Sequence, residues 1–308
     1  MTYKLATPIN PAQMDAGSAT YLIPEIIQVE NYTDANGQDG GRFQGVGASE
    51  ITVTIDIRRY SGVEYEEFDY SRLGDMKSIV SVAVSSLGMA IENDLNAHFW
   101  AHLENAFRPD DKTVGGQTLP AGAMRKQNII LPNLEDETAT VDDTKADINK
   151  LQRFMVKLSK TFNKKALGLD KSEFMIILDP VCDVNIRNVY WNQPNSLGER
   201  VVKDDLVGYK LGAGLYYYLD PMLGNKIPAG TSFSKDKDLD TSDFVGFIIH
   251  NEAIAMPMNI RQVVNVINPD TANTRLICKY QFGIGWVRPW LCFSITKVAP
   301  KTRKGEKA

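Results

Sequence analysis

The chain has few of the residues on which disulfide frameworks and much of catalytic chemistry depend: three cysteines and three histidines among 308 residues. Cys182, Cys278 and Cys292 have no short spacing, and any pairing leaves one over, so we expect buried thiols in a reducing compartment. No run of about 18 apolar residues occurs, and no apolar segment with a cleavage site opens the chain. These absences predict a soluble protein made in a cytoplasm, with no membrane contact.

A charge excess of either sign is also missing. The formal net charge is −4, from 34 Lys and Arg against 38 Asp and Glu. A dedicated nucleic-acid binder normally has a strong basic excess, so that class is disfavoured. The short basic stretch "KTRKGEKA" (301–308) could contact nucleic acid weakly, but its composition favours a disordered, solubilising end.

Motifs of catalysis are equally scarce. "GYKLGAG" (208–214) lacks the strand and helix that a phosphate-binding loop needs. Asp94, His98 and His102 are spaced by four residues, so they form one stripe of a helix and could in principle hold a metal. The neighbouring aromatic residues favour a packed helix instead. We therefore expect no catalytic residue, cofactor or metal, and keep a metal-dependent enzyme using this stripe as an alternative.

Three segments show strong periodicity. After a glycine-rich start, apolar and polar residues alternate from Ile51 to Ile57, and Ser61-Gly62 offers a tight turn, which predicts a β-hairpin that needs a partner for its apolar face. From residue 73 to 107 apolar residues recur in steps of three and four, predicting a helix about 50 Å long that ends before Pro109. The runs 174–180 and 244–250 are typical of strands buried on both faces.

The last periodic segment, "YQFGIGWVRPW" (280–290), has one aromatic face and one bare face. A turn at "NPDTAN" (268–273) precedes it. Gly283 and Gly285 predict that another element, plausibly the long helix, approaches the bare face closely, and the phase change near Pro289 demands a bend. The even-numbered apolar positions are Leu276, Cys278, Tyr280, Phe282, Ile284 and Trp286.

The order of these elements resembles the major capsid proteins of tailed bacteriophages with the Hong Kong 97 fold, which bacterial encapsulin shells share. The quoted motifs are "ITVTIDIRRYSGVEYEEF", "DMKSIVSVAVSSLGMAIENDLNAHFWAHL", "GFIIHNEAIAMP" and "YQFGIGWVRPW". The resemblance implies an α+β fold over nearly the whole chain. Its parts would be an N-terminal arm (1–47), an E-loop hairpin (48–72), the first part of a P-domain with its spine helix (73–140), an α/β A-domain (141–254), and the second part of the P-domain with a basic tail (255–308).

The function that this resemblance implies is assembly. The chain would form pentamers and hexamers of an icosahedral head shell around double-stranded DNA, assembled in the host cytoplasm and found in the virion. Its other partners would be a separate scaffolding protein, a portal, decoration proteins and, weakly, the packaged DNA. An encapsulin-type cellular compartment is the alternative with the same fold.

In this family the E-loop lies across an adjacent subunit. The resemblance therefore implies that the hairpin supplies apolar and ion-pair contacts between subunits. The residues so predicted are Ile51, Val53, Ile55, Ile57, Arg58, Arg59, Glu64, Glu66 and Glu67.

Overall fold

The computed structural model of the chain describes the residues that form its helix, its strands and some connections. The described residues are 4, 13–14, 17–24, 48–65, 76–107, 113–114, 117–118, 126–127, 174–180, 200–203, 206–212, 215–231, 238–271 and 273–296. Glu66, Glu67, Cys182 and the basic tail lie outside them.

One long helix and nineteen strands, many of them short, make up these residues. The helix is α1 (Met76–Phe107), and a 3-10 turn spans Pro289–Leu291. The strands are β1 (Gln13–Met14), β2 (Ser18–Pro24), β3 (Ala48–Thr54), β4 (Ile57–Tyr65), β5 (Thr113–Val114), β6 (Gln117–Thr118), β7 (Lys126–Gln127), β8 (Phe174–Leu178), β9 (Arg200–Lys203), β10 (Leu206–Gly212), β11 (Leu215–Leu219), β12 (Lys226–Ile227), β13 (Leu239–Asp240), β14 (Phe244–His250), β15 (Ile254–Ala255), β16 (Met258–Ile267), β17 (Thr274–Phe282), β18 (Gly285–Trp286) and β19 (Cys292–Thr296).

Helix α1 confirms the long helix predicted from the apolar periodicity, and it has 32 residues. Its two halves differ in burial. In the first half Val82, Val84 and Met89 are exposed, whereas most side chains of the second half, polar as well as apolar, are buried. The large buried side chains of the second half are Leu95, Phe99, Trp100, Leu103 and Phe107. No helix in the described part of the chain is long and apolar enough to cross a membrane.

A seven-stranded mixed sheet lies on one side of α1, in the order β7-β19-β14-β8-β11-β10-β9. β8 and β14 are buried at every residue, which confirms the two predicted core strands. β14 pairs with β8 and with β19. The predicted division between residues 254 and 255 therefore separates two strands, β14 and β19, that pair in one sheet.

A three-stranded antiparallel sheet, β16-β17-β4, lies against the other side of α1. The turn predicted at 268–273 is confirmed, since β16 and β17 form a hairpin around it and Asn268 N–H donates to the carbonyl of Asn273 at 2.8 Å. β4 pairs with β17 along its whole length.

The predicted turn at Ser61-Gly62 is wrong. Both residues lie within β4, where Ser61 faces Cys278 and Gly62 faces Ile277. The physical reason is close packing, because a Cβ on Gly62 would lie 3.3 Å from the backbone oxygen of Leu276. This glycine permits a close approach within a strand and does not reverse the chain.

The first half of the predicted hairpin belongs to a different sheet. β3 pairs with β2, and the short β1 completes this ribbon, β1-β2-β3. The ribbon has a small apolar core of its own, to which the rest of the chain contributes two residues. The members of that core are Ala19, Tyr21, Val53, Ile55, Ala255 and Val287.

The bare glycine face of "YQFGIGWVRPW" receives the ribbon, so the prediction that the long helix approaches it is wrong. A Cβ on Gly283 would lie 1.9 Å from the backbone oxygen of Thr54, and one on Gly285 would lie 2.8 Å from Cγ2 of Val53. The helix instead lies over the aromatic face, where the ring centroids of His98 and Phe282 are 5.1 Å apart. The predicted bend is confirmed as the 3-10 turn that leads into β19.

Gly283→Ala should destabilise the protein, because the added methyl would overlap backbone rather than a movable side chain. We expect a loss of about 1 to 3 kcal/mol in the free energy of unfolding, the usual cost of overpacking. Urea denaturation measures this loss, at a protein concentration too low for subunits to associate.

Gly88→Ala is the matched control. Gly88 lies within α1, and nothing lies within 4 Å of the position that its Cβ would occupy. The same substitution should therefore stabilise the protein by about 0.5 to 1 kcal/mol. Equal effects of the two variants would show that the approach of the ribbon to Gly283 is not as close as described.

Candidate functional site

Asp94 and His98 of the predicted stripe lie on the face of α1 that contacts the three-stranded sheet. Nη2 of Arg59, on β4, donates a hydrogen bond to Nε2 of His98 at 3.1 Å. Because an arginine donates and does not accept, Nε2 of His98 is the acceptor in this hydrogen bond. Nε of Arg59 lies 3.6 Å from Oδ2 of Asp94, and the hydroxyl of Tyr280 donates to the same oxygen at 2.9 Å. These four side chains, Arg59, Asp94, His98 and Tyr280, are hereafter the polar cluster.

His102 points to a different environment. Its ring stacks on Trp286, with centroids 5.3 Å apart and an interplanar angle of 29°. Asp94 and His98 are close, at 3.7 Å between Oδ1 and Nε2, but the carboxylate already faces Arg59 and Tyr280. Among the described residues, no three or more His, Cys, Asp or Glu side chains are grouped so that they could hold a metal ion. The predicted stripe shares one helix face without converging on a common ligand position.

The polar cluster holds the helix in register on the sheet. Its members come from β4, α1 and β17, so each hydrogen bond joins two elements that are far apart in sequence. Burial, reinforced by the nearby Asp94 carboxylate, raises the pKa of Tyr280 well above its ordinary value, so the phenol remains a donor. The cluster contains cross-element hydrogen bonds and no exposed nucleophile, which suits a structural role.

The opposite face of α1 is fixed by a second set of polar contacts. Nδ2 of Asn96 donates to Oδ2 of the buried Asp220 at 3.0 Å, and Oε2 of Glu104 accepts from the backbone N–H of Asp240 at 3.1 Å. Between these contacts Trp100 packs on Phe247 of β14, with ring centroids 5.4 Å apart. The helix is therefore held from both sides.

Glu64, predicted to contact a neighbouring subunit, is engaged by its own chain. Oε1 accepts hydrogen bonds from Nδ2 of Asn268 at 2.9 Å, Oγ1 of Thr271 at 2.9 Å and Nδ2 of Asn273 at 3.2 Å. Oε2 accepts from Nε of Arg275 at 2.7 Å. One carboxylate of β4 thus ties down the turn between β16 and β17.

The other residues predicted to contact neighbours lie in several environments. Val53 and Ile55 are buried in the ribbon's own core, and Ile51 packs against it. Ile57 packs against the main core, Arg59 belongs to the polar cluster, and Arg58 is exposed. The intersubunit role of these residues stays a prediction, although the side chains of Val53 and Ile55 point into the chain itself.

Sequence reasoning missed the polar cluster, although one signal for it exists. Arg59 lies in phase with Ile57 and Val63 in the alternation of β4, so it belongs to the strand's inward face. A charged residue in an inward position requires a buried partner. No sequence pattern indicates that Tyr280 and Asp94, 186 residues apart, supply that environment.

Comparison with known proteins gives matches at the level of structure. No family model matches the chain, and no curated protein matches it. A chain in the capsid structure of the cyanophage P-SCSP1u matches with a TM-score of 0.51 at 15% identity, over 95% of this chain and 86% of that one. A chain in the mature capsid of bacteriophage PhiM1 matches with a TM-score of 0.49 at 13% identity, over 96% and 86%.

The cyanophage match establishes the class of fold. Together, α1, the two sheets and the ribbon form the α+β fold of a phage capsid chain. The match extends along nearly the whole sequence, as the order of its elements implied.

Tyr280→Phe should weaken the hold of the sheet on α1. The variant removes the donor to Asp94 and leaves a partly buried carboxylate with one partner fewer, which should cost about 1 to 3 kcal/mol. Tyr60→Phe is the control, since Tyr60 lies on β4 of the same sheet but is 70% exposed, and it should change stability by less than about 0.5 kcal/mol. Equal losses in chemical denaturation would contradict the assigned role of the hydroxyl.

The protein should lose the stability that Glu64 contributes as this side chain becomes protonated in acid. Hydrogen bonds from Asn268, Arg275 and Thr271 lower the pKa of Glu64 from its ordinary 4.5 to about 2. A carboxylate with a depressed folded-state pKa stabilises the fold above its unfolded pKa, and that contribution disappears as the pH falls toward the folded value. The stability difference between wild type and Glu64→Gln should therefore be largest above pH 5 and shrink toward pH 2.

The measurement is a series of denaturation curves from pH 7 to pH 2 at low and high salt. Because Glu64 is exposed to solvent, salt should reduce the part that comes from Arg275. Glu50→Gln, on the exposed side of β3, is the control for losing a surface charge. A difference between wild type and Glu64→Gln that does not change with pH would contradict the prediction.

Proposed function

We propose that this chain is the major capsid protein of a tailed bacteriophage, which assembles into the icosahedral shell that encloses double-stranded DNA. The observation that carries the proposal is the structural match to a cyanophage capsid chain over 95% of the sequence. The sequence supports it independently, because the order of elements resembles the Hong Kong 97 fold. On this proposal the ribbon supplies the arm and part of the E-loop, and α1 is the spine of the P-domain.

The proposed partners are those that assembly of an icosahedral shell would require. Copies of the chain would form pentamers and hexamers, helped by a separate scaffolding protein and joined by a portal and decoration proteins. Packaged DNA would contact the shell weakly, and the site of action would be the virion after assembly in the host cytoplasm.

Contacts between subunits are proposed along the exposed side of 48–65. Of the residues predicted to make them, Arg58 is available for a cross-subunit ion pair because its side chain faces solvent. Glu64 is less available for a contact between subunits, because it already accepts hydrogen bonds from the β16–β17 turn. Loss of shells in an Arg58→Glu variant that melts like wild type supports this contact, and normal shells from that variant refute it.

The phage shell is preferred to its two alternatives. An encapsulin shares the fold, but the match that supports the fold is to a virus capsid. A metal-dependent enzyme would need Asp94, His98 and His102 around one ion, whereas Asp94 contacts Arg59 and Tyr280 and His102 stacks on Trp286. We propose a structural protein without catalytic activity.

The chain should form closed shells when expressed with the genes that flank it. We expect uniform particles by negative-stain electron microscopy and a fast-sedimenting peak that contains the full-length chain. Particles isolated from the native source should protect DNA from nuclease and should carry this chain as the major band.

Two controls separate the alternatives. Particles that hold a cargo protein and no nuclease-resistant DNA would indicate an encapsulin. A soluble chain that never assembles with its flanking genes, and that retains a stoichiometric metal by mass spectrometry, would contradict the proposal in favour of an enzyme.

A further inference from the structure

Strand β16 carries a row of apolar side chains on one face of the three-stranded sheet. Ile260 lies opposite Tyr280 and Val263 lies opposite Cys278, with a shift of register between Ile260 and Gln262. Residues directly opposite each other in an antiparallel pair share a face. The irregularity therefore brings Ile260 and Val263 onto the same face, the one on which Tyr280 and Cys278 are buried.

This row is uncovered, although the rest of its face is not. Over β4 and β17 the face is covered by α1, through the polar cluster and the contact of His98 with Phe282. Beyond the helix the side chains of β16 become more exposed toward the turn. The row consists of Met258, Ile260, Val263 and Ile267, which are 37%, 58%, 59% and 69% exposed.

The two edge strands of the sheet differ in how many charged residues they carry. Among the described strands, β16 pairs with β17 alone and β4 forms the opposite edge. β4 has three charged residues among nine, Arg58, Arg59 and Glu64, whereas β16 has one, Arg261, among ten. Edge strands open to solvent are normally protected by charges or by shortness. β16 has neither protection along Gln262–Ile267.

We infer that the apolar row on β16 is a contact surface for a second copy of this chain. The inference rests on the proposed function, in which the main neighbours of a subunit in the shell are other copies. The chemistry of the row fits a protein surface. With Arg261 as its one charge, β16 cannot supply the several cations that a nucleic acid backbone requires. Burying four apolar side chains gives an assembling subunit a favourable free energy that a free subunit lacks.

Val263→Glu and Gln262→Glu form a matched pair that tests this surface. The two residues are adjacent and exposed on β16, and the same charge is introduced at both. Val263 belongs to the row, whereas Gln262 lies opposite Lys279 on the other face. A glutamate at 262 faces a lysine and should be tolerated, whereas one at 263 would be buried without a partner when copies meet.

Both variants should melt like wild type as free subunits, and Gln262→Glu should assemble normally. Val263→Glu should raise the subunit concentration needed for assembly by on the order of tenfold or more. Normal shells from Val263→Glu, or equal failure of both variants, overturns the inference while leaving the proposed function intact. If the wild-type chain forms no shells with its flanking genes, the proposed function fails first and the inference fails with it.

A photo-crosslinking amino acid at position 267 identifies the occupant. In assembled wild-type particles we expect a product of twice the mass of the chain, whose second partner is the chain itself by peptide mapping. A product with a different protein, or a link confined within one chain, contradicts the assignment of a second copy.

Discussion

The fold depends on the enclosure of the second half of α1 between two sheets. One side of this half-helix contacts β4, β17 and β18 through Asp94, His98 and His102, and the other side contacts β14 through Trp100 and Phe107. A helix buried on both sides is fixed in rotation as well as position, because polar groups on each face must meet their partners. The two sheets are consequently held at a fixed separation across one helix.

The same arrangement leaves the free subunit with uncovered apolar surface. The first half of α1 is exposed on one side, where Val82 and Met89 lie seven residues apart. The row on β16 is uncovered because the helix passes over β4 and β17 instead. Contact with other subunits would bury this apolar surface and so lower the free energy. The rigid core and the uncovered surface are therefore two results of the same packing.

Sequence reasoning succeeded where one local pattern had one structural meaning. A segment without proline, in which apolar residues recur every three or four positions, predicted α1. Unbroken apolar runs predicted β8 and β14. It failed at Gly62, because a glycine carries no sign of whether it turns the chain or admits a neighbour. At Gly283 it predicted a close approach but named the wrong element. Both admit a neighbour, and in each case the neighbour is a backbone oxygen distant in sequence.

The contacts predicted between subunits show a related difficulty. Alternation correctly placed Val53 and Ile55 on one strand face, but it cannot tell whether the surface that covers this face belongs to the same chain. Here Ala255 and Val287 of the same chain cover it. The polar cluster required a pairing of β4 with β17 that no local pattern encodes.

That pairing also sets the timing of folding. Glu64 of β4 and its partner Arg275 of β17 are 211 residues apart, so the ribosome must synthesise most of the chain before β4 finds its neighbour. Distant pairings of this kind close late, because the entropy of the large loop is lost before the contacts form. The edge strand β16 is laid down by the same late hairpin. A nascent chain that lacks β17 therefore cannot form the three-stranded sheet on which one side of α1 packs.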